Sequence, residues 1–267
     1  MYEVALIGAG NMGEAMLKGW LESGLLKTSD IAVSERDGAR ARLIKERYRV
    51  ESEILITSAA AEARTVVVAV KPQDSGLVLH EIAGAVDNEK TVLSIVAGLS
   101  LGAIRDRLGP EPSLVRAMPN LAARVRAAVT AYAVDEGTGR LHRETVKDLL
   151  GVIGEVVEVD ESYMDLVTAL SGSGPAYFFL LVEALEDAGV KRGLTREISS
   201  RLARETLWGA AKTLKETGIE AGELRVAVSS PGGTTLAALE ELESSGFEKA
   251  IDNAVGAASK RAAELNK

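Results

Sequence analysis

Two short stretches, far apart in the chain, carry residue types that could do chemistry. Gly8-Ala9-Gly10-Asn11-Met12-Gly13 follows an apolar run at the N-terminus and sets three glycines at the spacing that wraps backbone N–H groups around a dinucleotide pyrophosphate. Ser229-Ser230-Pro231-Gly232-Gly233-Thr234-Thr235 places small residues and two hydroxyls at the expected start of a helix. A helix start favours a small anion, because its N–H groups and dipole both point there. A nucleotide cradle and a separate anion pocket together describe a reductase whose substrate is a small carboxylate.

The glycine spacing gains weight from its context. It follows an expected strand, Val4–Ile7, opens a helix over Asn11–Glu22, and lies within a unit closed by a strand at Ile31–Val33. Gly8 permits the tight turn, Gly10 lets the backbone approach phosphates, and Gly13 allows close helix–sheet packing. The second strand ends at Ser34-Glu35-Arg36. Glu35 stands where an acidic residue accepts from the ribose hydroxyls of NAD, whereas Ser34 and Arg36 could hold the 2′-phosphate of NADP. Both NADPH and NADH stay open as the cofactor. Ala69-Val70-Lys71-Pro72 and Val96-Ala97-Gly98 leave two further strands at the carboxyl ends that line the crevice in such a sheet. Lys71 is read as a surface or backbone-positioning residue rather than a proton donor. His80 and His142, the only histidines, fall in amphipathic helical stretches and are read as surface residues.

Several elements must position these groups. Apolar runs at Val4–Ile7, Ile31–Val33, Thr65–Val70, Thr91–Val96, Ser113–Ala117, Val129–Val134 and Glu155–Val159 predict seven strands. Many are continuous rather than alternating, as in a parallel sheet covered on both faces. Helical patterns such as Asn11–Glu22 and Gln73–Val86 lie between them, so residues 1–160 read as a doubly wound α/β dinucleotide-binding domain. The direction of the later strands is left open. Residues 161–267 read as all-helical. Pro175 begins one helix and Gly189 is expected to stop it; Thr195 caps the next, which ends near Gly218 and carries a stripe of Ile198, Leu202, Leu207, Ala211 and Leu214. A helix after Pro231 and a last one from about Phe247 complete this part. Tyr177-Phe178-Phe179-Leu180-Leu181-Val182 is apolar all round, so that helix needs cover on every side. An interface with another chain is the expected cover, the alternative being the centre of a monomeric bundle.

Composition narrows the classes. With 31 basic and 39 acidic residues the net charge is −8, which disfavours nonspecific nucleic-acid binding. The chain has no cysteine, so disulfides, thiolate catalysis and Cys-based metal sites are excluded, and a reducing cytoplasm fits. Without a persuasive histidine pair, no metal site is expected. No signal segment is expected at the N-terminus. The unbroken apolar runs fall short of the ~20 residues of a bilayer span, so no membrane segment is expected either.

Five segments carry a family resemblance: Ile7–Gly13, Ala69–Pro72, Arg116-Ala117-Met118-Pro119-Asn120, Ser171-Gly172-Ser173-Gly174-Pro175-Ala176-Tyr177, and Ser229–Thr235. In them the chain resembles pyrroline-5-carboxylate reductases over essentially its whole length. The first two segments are shared with many β-hydroxyacid dehydrogenases; the last two are specific. The resemblance implies a Rossmann domain followed by an all-α dimerisation domain, an active site between them that uses both subunits, and dimers or rings of dimers. It implies reduction of a cyclic imino carboxylate to proline, with the nicotinamide near Met118 and Asn120. It places the substrate between Ser173-Gly174 and a segment comprising Ser230, Gly232, Gly233, Thr234 and Thr235, with the Thr235 hydroxyl on the ring nitrogen. Glu35 is unusual for members that prefer NADPH, and Val96 replaces a common alanine.

Two rival readings carry their own discriminators. A β-hydroxyacid dehydrogenase needs a lysine in the first long helix after the nucleotide domain, where this chain has only Tyr177–Val182; Lys212 alone could revive it. A dimeric module sensing nucleotide redox state explains the cradle and the apolar helix but needs no paired threonines.

Overall fold

The structure is a computed structural model in which residues 1–265 are described. The apolar runs form one seven-stranded sheet: β1 (Tyr2–Ile7), β2 (Ile31–Ser34), β3 (Ala63–Val68), β4 (Thr91–Ser94), β5 (Ser113–Met118), β6 (Ala128–Val134) and β7 (Gly154–Glu158). Their order across the sheet is β2-β1-β3-β4-β5-β6-β7. The first five strands are parallel, β6 runs antiparallel to β5, and β7 runs parallel to β6. The reversal has a simple cause. Residues 119–127 join β5 to β6 through a 3-10 turn at Leu121–Val125, shorter than the crossover of about a dozen residues that parallel neighbours require.

Helices cover both faces. Alternate strand residues point to opposite sides. Val4, Leu6, Ile31, Val33, Val67 and Leu93 pack with Met16, Leu17 and Trp20 of α1 (Asn11–Ser23), Ile44 of α2 (Gly38–Tyr48) and Leu149 and Leu150 of α6 (Arg140–Gly151). Ala5, Ile7, Val66, Val68 and Val92 pack on the other face with Ala59 of α3 (Ile56–Ala61), Leu79 and Ile82 of α4 (Pro72–Ile82), and Ile104 of α5 (Leu101–Leu108). Trp20 is fully buried and its Nε1–H donates to the Leu149 carbonyl at 2.8 Å, so the largest core side chain leaves no polar atom unsatisfied.

The chain divides into two compact units. One is Met1–Ser173 with the C-terminal stretch from Ala257; the other is Gly174–Gly256. The first therefore also holds the short helix α7 (Met164–Val167), a π-helical turn at Thr168–Gly172, and the end of the last helix. The second holds α8 (Gly174–Lys191), α9 (Arg196–Thr217), α10 (Ala221–Ala227), α11 (Thr234–Ser244) and the start of α12 (Phe247–Leu265).

Thr195 caps α9 by accepting from the Ile198 N–H, and Gly218 ends it in a left-handed conformation. Gly189 does not stop α8, which runs on to Lys191. Its lack of a side chain serves packing instead: a Cβ there would collide with Ser199 Oγ, and that hydroxyl donates to the Glu186 carbonyl at 2.7 Å where α9 crosses α8. The apolar helix is not the centre of a bundle, because Phe178, Phe179 and Leu180 are 56%, 55% and 66% exposed in this chain.

The helical stretch Glu161–Lys191 is long and apolar enough, by length and composition alone, to cross a bilayer. Counting unbroken apolar runs misses it, because the small residues at Ser171–Pro175 interrupt the run of large apolar side chains.

Candidate active site

The cradle forms where β1, β2 and β3 end side by side. The Gly8 N–H donates to the Ser34 carbonyl at 2.9 Å, and the Ala69 N–H donates to the Ile7 carbonyl at 2.8 Å. Gly8 has φ of +91°, and a Cβ there would lie 2.8 Å from the Ala69 carbonyl. A Cβ on Gly13 would strike the Gly8 carbonyl, which keeps α1 close to the turn. Gly10 differs: beyond its own chain neighbours, nothing lies within 4 Å of where its Cβ would be. It is the N-cap of α1 in extended backbone, so no cap side chain covers the first-turn N–H groups. Asn11 is exposed and Met12 half-buried. Open space over Gly10, in front of a bare helix start at the crevice of a doubly wound sheet, fits a dinucleotide pyrophosphate.

Ala9 is clamped on both of its backbone groups. Its N–H donates to Glu35 Oε2 at 2.8 Å, and its carbonyl accepts from Arg40 Nε at 2.8 Å. Glu35 Oε1 also accepts the Asp37 N–H at 3.0 Å. Arg40 is in turn paired with Glu14, whose Oε1 accepts from Arg47 Nη1 at 2.6 Å and from the Tyr48 hydroxyl at 2.9 Å. Burial pushes the Glu14 carboxyl up, but the hydrogen bonds from Tyr48 and Arg40 and the Arg40 charge outweigh it and hold it below the ordinary value. Burial, and then the bond to Glu14, push the Tyr48 phenol up. Nothing in the spacing of the sequence flags this network, since Glu14 only follows the last glycine of the motif.

The other crevice segments are placed as follows. Arg36 is 80% exposed at its side chain and lies 3.3 Å from Asp74 Oδ1. Lys71 is exposed and its carbonyl accepts from the Asp74 N–H at 2.9 Å; Pro72 opens α4, and Ala69 and Val70 are half-buried. Val96 is buried and Ala97 half-buried, while a Cβ on Gly98 would meet the Leu265 carbonyl at 2.9 Å, so the end of α12 closes over that loop. Asn120 is buried with its Oδ1 accepting the Ala122 N–H at 3.2 Å. A Cβ on Gly172 would meet Met118 Cε at 2.7 Å, which brings the Met118 and Ser171–Ser173 segments together. The Ser173 N–H donates to the Thr168 carbonyl at 2.8 Å and ends the π-helical turn ahead of the buried Gly174. Such turns recur at functional sites. Buried Arg116 lies 3.2 Å from Glu161 Oε1, which also accepts the Leu101 N–H at 2.7 Å, tying β5 to the start of α5 and the stretch leading into α7.

In the other unit, the Gly233 N–H donates to the Ser230 carbonyl at 2.9 Å, and a Cβ on Gly233 would collide with Ser230 Oγ. Gly232 has φ of +70°. α11 begins at Thr234 with Gly233 as an extended N-cap, again without a capping side chain. Thr234 is exposed and Thr235, in the first turn, is half-buried.

Neither histidine belongs to the cradle. His80 is exposed; half-buried His142 has Nδ1 2.7 Å from Thr91 Oγ1, at the opposite end of β4 from the crevice. Among the described residues no cluster of carboxylates and histidines could hold a metal ion. Lys212 is half-exposed and 3.8 Å from Glu216 Oε1, one turn along α9.

Comparison with known proteins agrees with this two-part reading. Residues 161–265 match the family model described as pyrroline-5-carboxylate reductase dimerisation, and residues 3–98 match one described as NADP oxidoreductase coenzyme F420-dependent. The pyrroline-5-carboxylate reductase of Mycobacterium tuberculosis is 43% identical, over 99% of this chain and 97% of that protein. Among solved structures, the pyrroline-5-carboxylate reductase of Coxiella burnetii superposes with a TM-score of 0.94 at 34% identity, covering 100% of this chain and 99% of that one. The Plasmodium falciparum pyrroline carboxylate reductase, solved with NADP bound, gives 0.89 at 30% identity, covering 100% and 98%.

Proposed function

The chain belongs to the pyrroline-5-carboxylate reductase family, and on that premise we propose that it reduces 1-pyrroline-5-carboxylate to proline with NADPH or NADH in the cytoplasm. The observation that carries the cofactor half is the open space over Gly10 at the bare start of α1. Residues 1–160 serve as the dinucleotide-binding domain, and 161–267 as the dimerisation and substrate domain. Gly8, Gly10 and Gly13 hold the pyrophosphate, with Glu35 and its neighbours beside the adenosine ribose. Ala69–Pro72, Val96–Gly98, Met118 and Asn120 border the rest of the dinucleotide.

Bound NAD(P)H supplies the hydride that the imine carbon accepts. The chain's own task is to fix the heterocycle and to manage one proton. The start of α11 takes the substrate carboxylate through the backbone N–H groups of Gly232 and Thr234, with Gly233 shaping the turn through its own N–H bond to the Ser230 carbonyl. Such an interaction is worth ~0.3–1 kcal/mol at an exposed helix end and up to ~2 when partly buried. Ser173, Gly174 and Ser230 border the ring. The Thr235 hydroxyl bonds the ring nitrogen, which gains a proton as the C=N bond is reduced. The imine nitrogen is basic enough to be partly protonated in water, so orientation carries the rate and no strong acid is needed. The exposed apolar face of α8, with Phe178, Phe179 and Leu180, is covered by a second copy of the chain rather than by lipid.

Adding 1-pyrroline-5-carboxylate to enzyme and reduced coenzyme tests this reading. Coenzyme absorbance should fall in step with proline formed. No fall with either coenzyme overturns the reading.

A further inference from the structure

We infer that Glu35 selects NADH over NADPH in this chain, an inference that rests on the cofactor reading above. The sequence leaves Ser34-Glu35-Arg36 ambiguous because the carboxylate could turn away from a 2′-phosphate. In the structure it does not turn away. Oε2 is bonded to the Ala9 N–H at 2.8 Å and Oε1 to the Asp37 N–H at 3.0 Å, so two backbone donors aim the carboxylate into the glycine turn.

The neighbouring cations are engaged elsewhere. The Arg36 guanidinium lies 3.3 Å from Asp74 Oδ1, in the first turn of α4. Arg40 bonds the Ala9 carbonyl and pairs with Glu14. A ribose 2′-hydroxyl at this strand end donates to Glu35, whereas a 2′-phosphate brings a second anion against a carboxylate that cannot swing away without breaking the clamp on Ala9. Two anions a few ångströms apart in a half-buried crevice disfavour NADPH by ~10-fold or more.

Equilibrium titrations of the enzyme with NADH and with NADPH, without substrate and read by nicotinamide fluorescence, test this directly. NADH should bind at least ~10-fold tighter, and the kcat/KM ratio with 1-pyrroline-5-carboxylate should follow the same order. Glu35→Gln keeps an acceptor for the Ala9 N–H and removes the charge, so NADPH affinity should rise and the ratio should fall towards unity. Because the ratio is measured on one preparation, partial loss of folded protein cancels. Tighter binding of NADPH by the wild type, abolished by Arg36→Ala, would overturn the inference, as would an unchanged ratio in Glu35→Gln. An enzyme that binds NADH selectively but leaves the imine unreduced would refute the proposed reaction and leave the coenzyme selection standing.

Discussion

At the scale of single residues, the three glycines of the cradle divide their labour, and that division can be measured. Gly10 opens on empty space, so Gly10→Ala should leave the melting temperature unchanged while weakening coenzyme binding, because the methyl group occupies the place of the phosphates. Gly13→Ala pushes a methyl into the Gly8 carbonyl and should cost ~1–3 kcal/mol of stability along with coenzyme binding. Thermal melts beside coenzyme titrations separate the two; equal melting losses would refute the account of Gly10. Thr235 carries the second expectation. Thr235→Ala should lower kcat far more than it raises the coenzyme Kd, and steady-state kinetics with an unchanged kcat would remove the hydroxyl from the mechanism.

Among the elements, the seven strands were legible because continuous Val, Ile and Ala runs have few other fates in a chain of this polarity. The reversal at β6 was legible in principle, since residues 119–127 are too few for a crossover, but only once β5 and β6 are known to be neighbours. Gly189 misled because a glycine near a helix end reads as a stop, while its use here depends on Ser199 in another helix. Helix α10 was missed because Ala221–Ala227 is too short to show a period. The Glu14 network that braces α1 against α2 was invisible because its partners Arg40, Arg47 and Tyr48 are distant in sequence. Its pH dependence follows from the lowered Glu14 pKa. Stability from the charged carboxylate is complete above the ordinary value of 4.5 and is lost as pH falls through the lower folded value. Glu14→Gln should therefore melt earlier than the wild type at neutral pH, by about 1 kcal/mol, and the two curves should converge in acid. Parallel curves at all pH values would show that the charge contributes nothing.

For the molecule as a whole, the exposed apolar face of α8 demands cover. Light scattering should return at least twice the single-chain mass of 28.1 kDa, and Leu180→Asp should reduce the assembly towards one chain. A wild-type mass of one chain would contradict a second copy as the cover. The central claim concerns where the hydride goes. With coenzyme deuterated at the transferable position, mass spectrometry and NMR should find one deuterium per proline formed, on the carbon that was the imine carbon. Proline without deuterium, or coenzyme oxidised with no proline made, would contradict the account.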